Sequence, residues 1–120
     1  MAGRLSGLAF RAKEKEKYQV SVDRSSLTTA QDAFLLHTKG KKLASVGTWA
    51  VTVSECKETS KTLRCIPDPR PSSPDEIANP AHCYIDFADF SSNNQRERAG
   101  SELARYASDR GCLYAASDIE

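Results

Sequence analysis

The sequence predicts an α+β domain: a mostly antiparallel sheet of about five strands with two helices packed on one face. Three observations lead there. Period-two alternation marks strands in Tyr18-Gln19-Val20-Ser21-Val22 and in His82-Cys83-Tyr84-Ile85-Asp86-Phe87. A long helical pattern runs over 92–110, with Ala99, Leu103, Tyr106, Ala107 and Arg110 on one face. A shorter helical pattern occupies 28–39.

Each element follows from local chemistry. Residues 1–10 have no clear period and read as a flexible arm, or as an edge strand ending at Phe10. The strand at 18–22 turns Tyr18, Val20 and Val22 inward and stops at the turn-forming Asp23-Arg24-Ser25-Ser26. The helix at 28–39 opens with Thr28 as N-cap and Gln31 in the box position; Ala30, Ala33, Phe34 and His37 share a face. Gly40 ends it, and Lys39, Lys41 and Lys42 suit the negative end of the helix dipole. Leu43 to Glu55 is the most apolar stretch, and 47–54 reads as a strand with Trp49, Val51 and Val53 on one side. A helix starting near Ser45 is the competing reading. Residues 55–62 form a connection with room for one helical turn, and 63–66 a short strand stopped by Pro67. The span 67–80 is a long proline-rich loop, extended at Pro67–Pro74. Ser92 with Gln95 caps the second helix, Gly111 ends it, and 112–116 makes the last strand.

Composition narrows the function classes. The chain has 120 residues, a net charge of +1 and 39% hydrophobic residues, which fits one domain over 1–120. No apolar run approaches the roughly 20 residues of a membrane helix, and the first ten residues lack the apolar core of a signal peptide. The expectation is a cytoplasmic protein with no membrane partner. Residues 1–60 carry ten basic and six acidic side chains, and residues 61–120 seven and ten. That asymmetry leaves a basic N-terminal half, yet Glu14 and Glu16 dilute the lysines around them, unlike a phosphate-binding tract. The four cysteines (Cys56, Cys65, Cys83 and Cys112) read as reduced thiols, with Cys83 and Cys112 as small core residues. No C-x-x-C pair is present, so no metal is expected; Cys56, Cys65 and His82-Cys83 could meet only through tertiary folding. Lys57 beside Cys56 is the one feature that would activate a thiol.

The strongest chemical constellation is the strand at 82–87. Alternation places His82, Tyr84 and Asp86 on one face, a general acid–base, a phenol and a carboxylate: the catalytic set if the protein is an enzyme. Residues four apart on a strand lie about 13 Å apart, so Asp86 cannot orient His82, and Asp68 or Asp23 would have to. The competing reading has His82 capping the proline loop. His37 reads as a satisfied, partly buried core histidine. Arg24 with Arg11 could hold phosphate, and Trp49 is core, or a hot spot if exposed beside the proline loop. The binding candidates are therefore Arg11, Arg24, Trp49, Asp68 and Arg70. No P-loop, dinucleotide fingerprint, zinc-protease motif or EF-hand occurs, and no cofactor is implied.

The motif order is Ala9-Phe10-Arg11, Val20-Ser21-Val22-Asp23-Arg24, Gly47-Thr48-Trp49-Ala50-Val51-Thr52-Val53-Ser54-Glu55-Cys56, Pro67-Asp68-Pro69 and Pro80-Ala81-His82-Cys83-Tyr84-Ile85-Asp86-Phe87. It covers most of the chain and resembles a group of small, functionally uncharacterised bacterial proteins. The resemblance implies a bacterial, intracellular, stand-alone domain and carries over no catalytic residues. The leading expectation is a protein-interaction module such as an antitoxin, immunity protein or accessory subunit. The alternative is a small metal-independent enzyme acting on a phosphodiester or nucleotide with His82 as general acid–base. Direct nucleic-acid binding through the basic half comes third.

Overall fold

The computed structural model describes residue 5 and residues 7–40, 47–74 and 77–115. The architecture is α+β, with antiparallel sheets of three and two strands. Strands β1 (Gln19–Asp23), β4 (His82–Asp86) and β3 (Arg64–Pro67) form the larger sheet in the order β1-β4-β3. The register sets Val20 opposite Ile85 and Ile85 opposite Cys65, so one face carries Val20, Val22, Cys65, Cys83 and Ile85. Helix α3 (Asn93–Arg110) covers that face with Ala99, Leu103, Ala104 and Ala107, all buried. Helix α2 (Val53–Thr59) adds Cys56, and the core closes on Phe87, Leu63 and Ile85. Each large apolar side chain taken fully out of water contributes about 2 kcal/mol, which is why this face fixes the register.

The smaller sheet pairs β2 (Gly47–Thr48) with β5 (Tyr114–Ala115) and carries helix α1 (Ala30–Leu35). Thr48 Oγ1 donates to the Ala30 carbonyl at 3.0 Å, and the Phe34 and Tyr114 rings meet tilted at 59°, with centroids 5.3 Å apart. The expected single sheet is thus split in two, and only α3 of the two predicted helices lies directly on the larger sheet. The α1 unit sits across a cleft from it.

Several expectations are corrected. The strand predicted over 47–54 ends at Thr48, and a third helix starts at Val53. Thr52 accepts from Glu55 N at 3.0 Å and Glu55 Oε1 accepts from Thr52 N at 2.8 Å, a reciprocal cap that overrides the β-branched alternation. Helix α1 is capped by Thr29, which accepts from Asp32 N, not by Thr28 with Gln31, and it passes into a wider π turn at Leu36–Gly40. Residues Gly7–Phe10 form neither arm nor strand: they make a 3-10 turn against α3, with Phe10 buried. Gly100 makes this docking feasible, since a Cβ there would stand 3.0 Å from the Phe10 carbonyl oxygen. Segment 43–46, Lys41, Lys42 and Ala116 lie outside the described residues. Ser92 does cap α3, accepting from Gln95 N at 3.3 Å, while the Gln95 side chain accepts from Ser91 instead of closing the box. None of the described helices is long and apolar enough to cross a membrane.

Candidate functional site

The sheet has two faces, and they divide the predicted residues between them. On the face away from α3 stands His82. It is buried; backbone hydrogen bonds pair Arg70 with Asn79, Asp68 N donates to the His82 carbonyl, and His82 N donates to the Asn79 carbonyl. His82 Nδ1 lies 3.0 Å from the Asp68 carbonyl oxygen and 3.4 Å from Asp68 Oδ2. Two acceptors at one nitrogen require the proton there, which fixes the neutral tautomer as Nδ1–H. Arg70 holds the same carboxylate at 3.0 Å. Asp23, opposite His82 in the register, accepts from Asn79 Nδ2 at 2.8 Å. Of the two carboxylates proposed to orient His82, Asp68 takes the place, and the contact also fastens the loop. Tyr84 is half-buried between Ser21 and Ile66 on neighbouring strands, and Asp86 Oδ1 accepts from Ala88 N at 2.9 Å. Strand geometry keeps His82, Tyr84 and Asp86 in a row and does not converge them on one point.

The other face opens into a cleft of roughly 1020 Å³ between the larger sheet and the α1 unit. Its floor includes Val22, Cys65 and Cys83, and its far wall Ala33 and Phe34. Trp49 and Val51, half-buried on the segment leading into α2, line it, and Val53 and Leu113 add half-exposed apolar side chains. Arg24 also lines the cleft. Its Nε is buried and finds no hydrogen-bond partner among the described residues. Arg24 and Trp49 thus line the same cleft, and Arg11 is exposed outside it. His37 is exposed and lines the cleft, not the partly buried core residue expected, and it shares no site with His82.

The thiols are arranged in a way that sequence reasoning missed. Cys56 and Cys65 meet with their sulfurs 3.8 Å apart. Cys65 Sγ donates to Cys56 Sγ; burial penalises a Cys56 thiolate more, so when the pair ionises it is Cys65 that loses its proton. The shared hydrogen bond pushes the Cys56 thiol up, with burial adding to it. Cys65 is brought down to about 7 by the same hydrogen bond, opposed by burial and helped by Lys57. Lys57 therefore acts, but on Cys65 and not on the adjacent Cys56. Burial raises Cys83. The missed signal was the T-x-x-E pattern at Thr52–Glu55, which makes a helix and so turns Cys56 towards β3. Among the described residues no three side chains of His, Cys, Asp or Glu group in a metal-binding arrangement.

The arrangement therefore offers an apolar cleft lined by Arg24 and Trp49, and separately a histidine–carboxylate pair. No model of a known protein family matches the chain, and no curated protein or solved structure does.

Proposed function

We propose that the chain is a small bacterial cytoplasmic protein-interaction module, an antitoxin, immunity protein or accessory subunit, and that the cleft receives its partner. One observation carries the reading: Trp49 and Arg24, whose buried Nε has no hydrogen-bond partner among the described residues, line a single apolar cleft. Tryptophan and arginine in desolvated pockets supply most of the energy at protein interfaces. The occupant that fits is a segment of a partner protein carrying a carboxylate for Arg24 beside an aliphatic or aromatic side chain for the Trp49 wall.

The test is site-specific photo-crosslinking in the bacterial host, with the probe at Val53 on the cleft or at Glu97 on the exposed side of α3. The expected result is one protein species, captured in stoichiometric yield from position 53 only. Trp49→Ala abolishes it and Arg24→Gln reduces it on the order of tenfold. Equal capture from both positions would sink the reading. So would capture of nucleic acid that disappears steeply with salt.

The Asp68–His82 pair favours a second reading, a small enzyme acting on a phosphodiester or nucleotide. Arg24 lines the opposite face of the sheet from His82, which weighs against its holding phosphate there. Turnover of such substrates that His82→Ala abolishes, in a variant that keeps its fold, would establish that reading instead.

A further inference from the structure

Cys56 and Cys65 differ in access although their sulfurs lie 3.8 Å apart. Cys56 sits on α2 at 1% exposure. Cys65 sits on β3, half-buried, and lines the cleft. Lys57 follows Cys56 in α2, and its positive charge reaches the Cys65 sulfur. One reachable sulfur with a cation nearby, backed by a second sulfur that solvent cannot reach, is the layout of an attacking and a resolving thiol.

We propose that Cys65 and Cys56 form a peroxide-oxidisable dithiol, Cys65 attacking and Cys56 resolving. In the first step the Cys65 thiolate attacks one oxygen of a hydroperoxide. The O–O bond breaks, Cys65 becomes a sulfenic acid, and the departing oxygen takes a proton and leaves as an alcohol or water. In the second step the Cys56 thiol gives up its proton and its sulfur attacks the Cys65 sulfur. The S–O bond breaks, and the hydroxide takes that proton and leaves as water. Two thiols lose two electrons in all, and one hydroperoxide is reduced. The sulfurs must close to about 2.05 Å, a movement smaller than a side-chain rotamer change. The bond ties the start of β3 to α2 and withdraws the Cys65 sulfur from the cleft floor. Cys83 is a diagonal neighbour of Cys65 on the same sheet face and feels its charge, but the sulfur in hydrogen-bond contact with Cys65 is that of Cys56, at 3.8 Å.

The test uses the reduced full-length protein with hydrogen peroxide as the probe, followed by alkylation and peptide mass mapping. Before peroxide, iodoacetamide labels Cys65 on the order of ten times faster than Cys83 or Cys112 near neutral pH. After one equivalent of peroxide, the Cys56 and Cys65 peptides appear cross-linked, with the loss of two hydrogens. In Cys56→Ala, dimedone traps Cys65 as a sulfenic acid; in Cys65→Ala, no cross-link forms. First modification at Cys83 or Cys112 in the wild-type protein would overturn the proposal. Wild-type Cys65 passing to sulfinic acid with no cross-linked peptide would overturn it as well. Both of these readouts come from the unmutated chain, so a variant that fails to fold does not obscure the answer.

Discussion

Glu55 does two jobs with one carboxylate. It closes the cap of α2, and both its oxygens accept from Arg110 of α3 at 2.9 Å, which staples the two helices together. The Arg110 guanidinium holds the Glu55 carboxyl below its ordinary value of 4.5, against the opposing effect of burial. A carboxylate with a depressed folded pKa stabilises the fold above its unfolded pKa, and that contribution disappears as pH falls through the folded value. Glu55→Gln keeps an acceptor for the cap and removes the charge. It is expected to cost about 1 kcal/mol near neutral pH, with the two proteins converging in urea melts run in acid. Arg96 is a second hub. Its guanidinium stacks 3.7 Å from the Tyr18 ring centroid and donates to the carbonyls of Phe87 and Phe90 at 3.3 and 2.7 Å. It thereby pins the left-handed pair Lys17 and Tyr18, at φ 56° and 58°, against the start of α3. Arg96→Ala is expected to lose about 2–3 kcal/mol by denaturant titration, and Arg96→Lys to recover less than half.

Among the elements, α3 and α2 illustrate opposite outcomes of local patterning. In α3 the apolar stripe and the Ser92 cap agree with the packing, and Gly111 at φ 97° ends the helix in a conformation that a side chain resists. Gly100 looks like a defect in that helix until the 3-10 turn of Gly7–Phe10 is laid across it. At an exposed helical site, glycine to alanine gains about 1 kcal/mol. Here the added methyl meets the Phe10 backbone, and Gly100→Ala is expected to destabilise by about 1–2 kcal/mol, a change of sign that a thermal melt detects. In α2 the alternation of Val51 and Val53 points to a strand, while Thr52 and Glu55 point to a helix start. The two backbone donors that this cap satisfies decide the contest. Thr52→Ala is expected to cost about 1 kcal/mol and to raise hydrogen exchange throughout α2.

At the level of the whole molecule, the core and the cleft lie on one side of the larger sheet. Phe87, fully buried, anchors the core beneath α3, and Phe87→Ala is expected to lose about 3–5 kcal/mol in denaturant melts. The cleft lies between two units: the sheet with α2 and α3, and the smaller sheet with α1. The smaller sheet is the pairing of β2 with β5. Among the described residues that pairing joins Gly47 to Ala115 and Thr48 to Tyr114, reinforced by Leu113 N donating to Thr48 O at 2.8 Å. A partner that fills the cleft gains from both units at once, and tight binding is expected to raise the thermal midpoint of the pair together.

The sequence by itself determined the α+β class, the alternating faces of β1 and β4, and the span of α3 with its Ser92 cap. Each of these depends on residues close in the chain or on a repeating period, and local chemistry encodes both. Tertiary structure alone decided that the strands divide into sheets of three and two. It alone decided that Asp68 meets the His82 ring while Asp23, opposite His82 in the register, accepts from Asn79. It also placed Arg24 and Trp49 on one cleft and brought Cys65 to Cys56. These are pairings between elements, set by which apolar faces bury together and by which strand ends are left to share partners. No period in the chain records that choice, because it is made by the free energy of the assembled core.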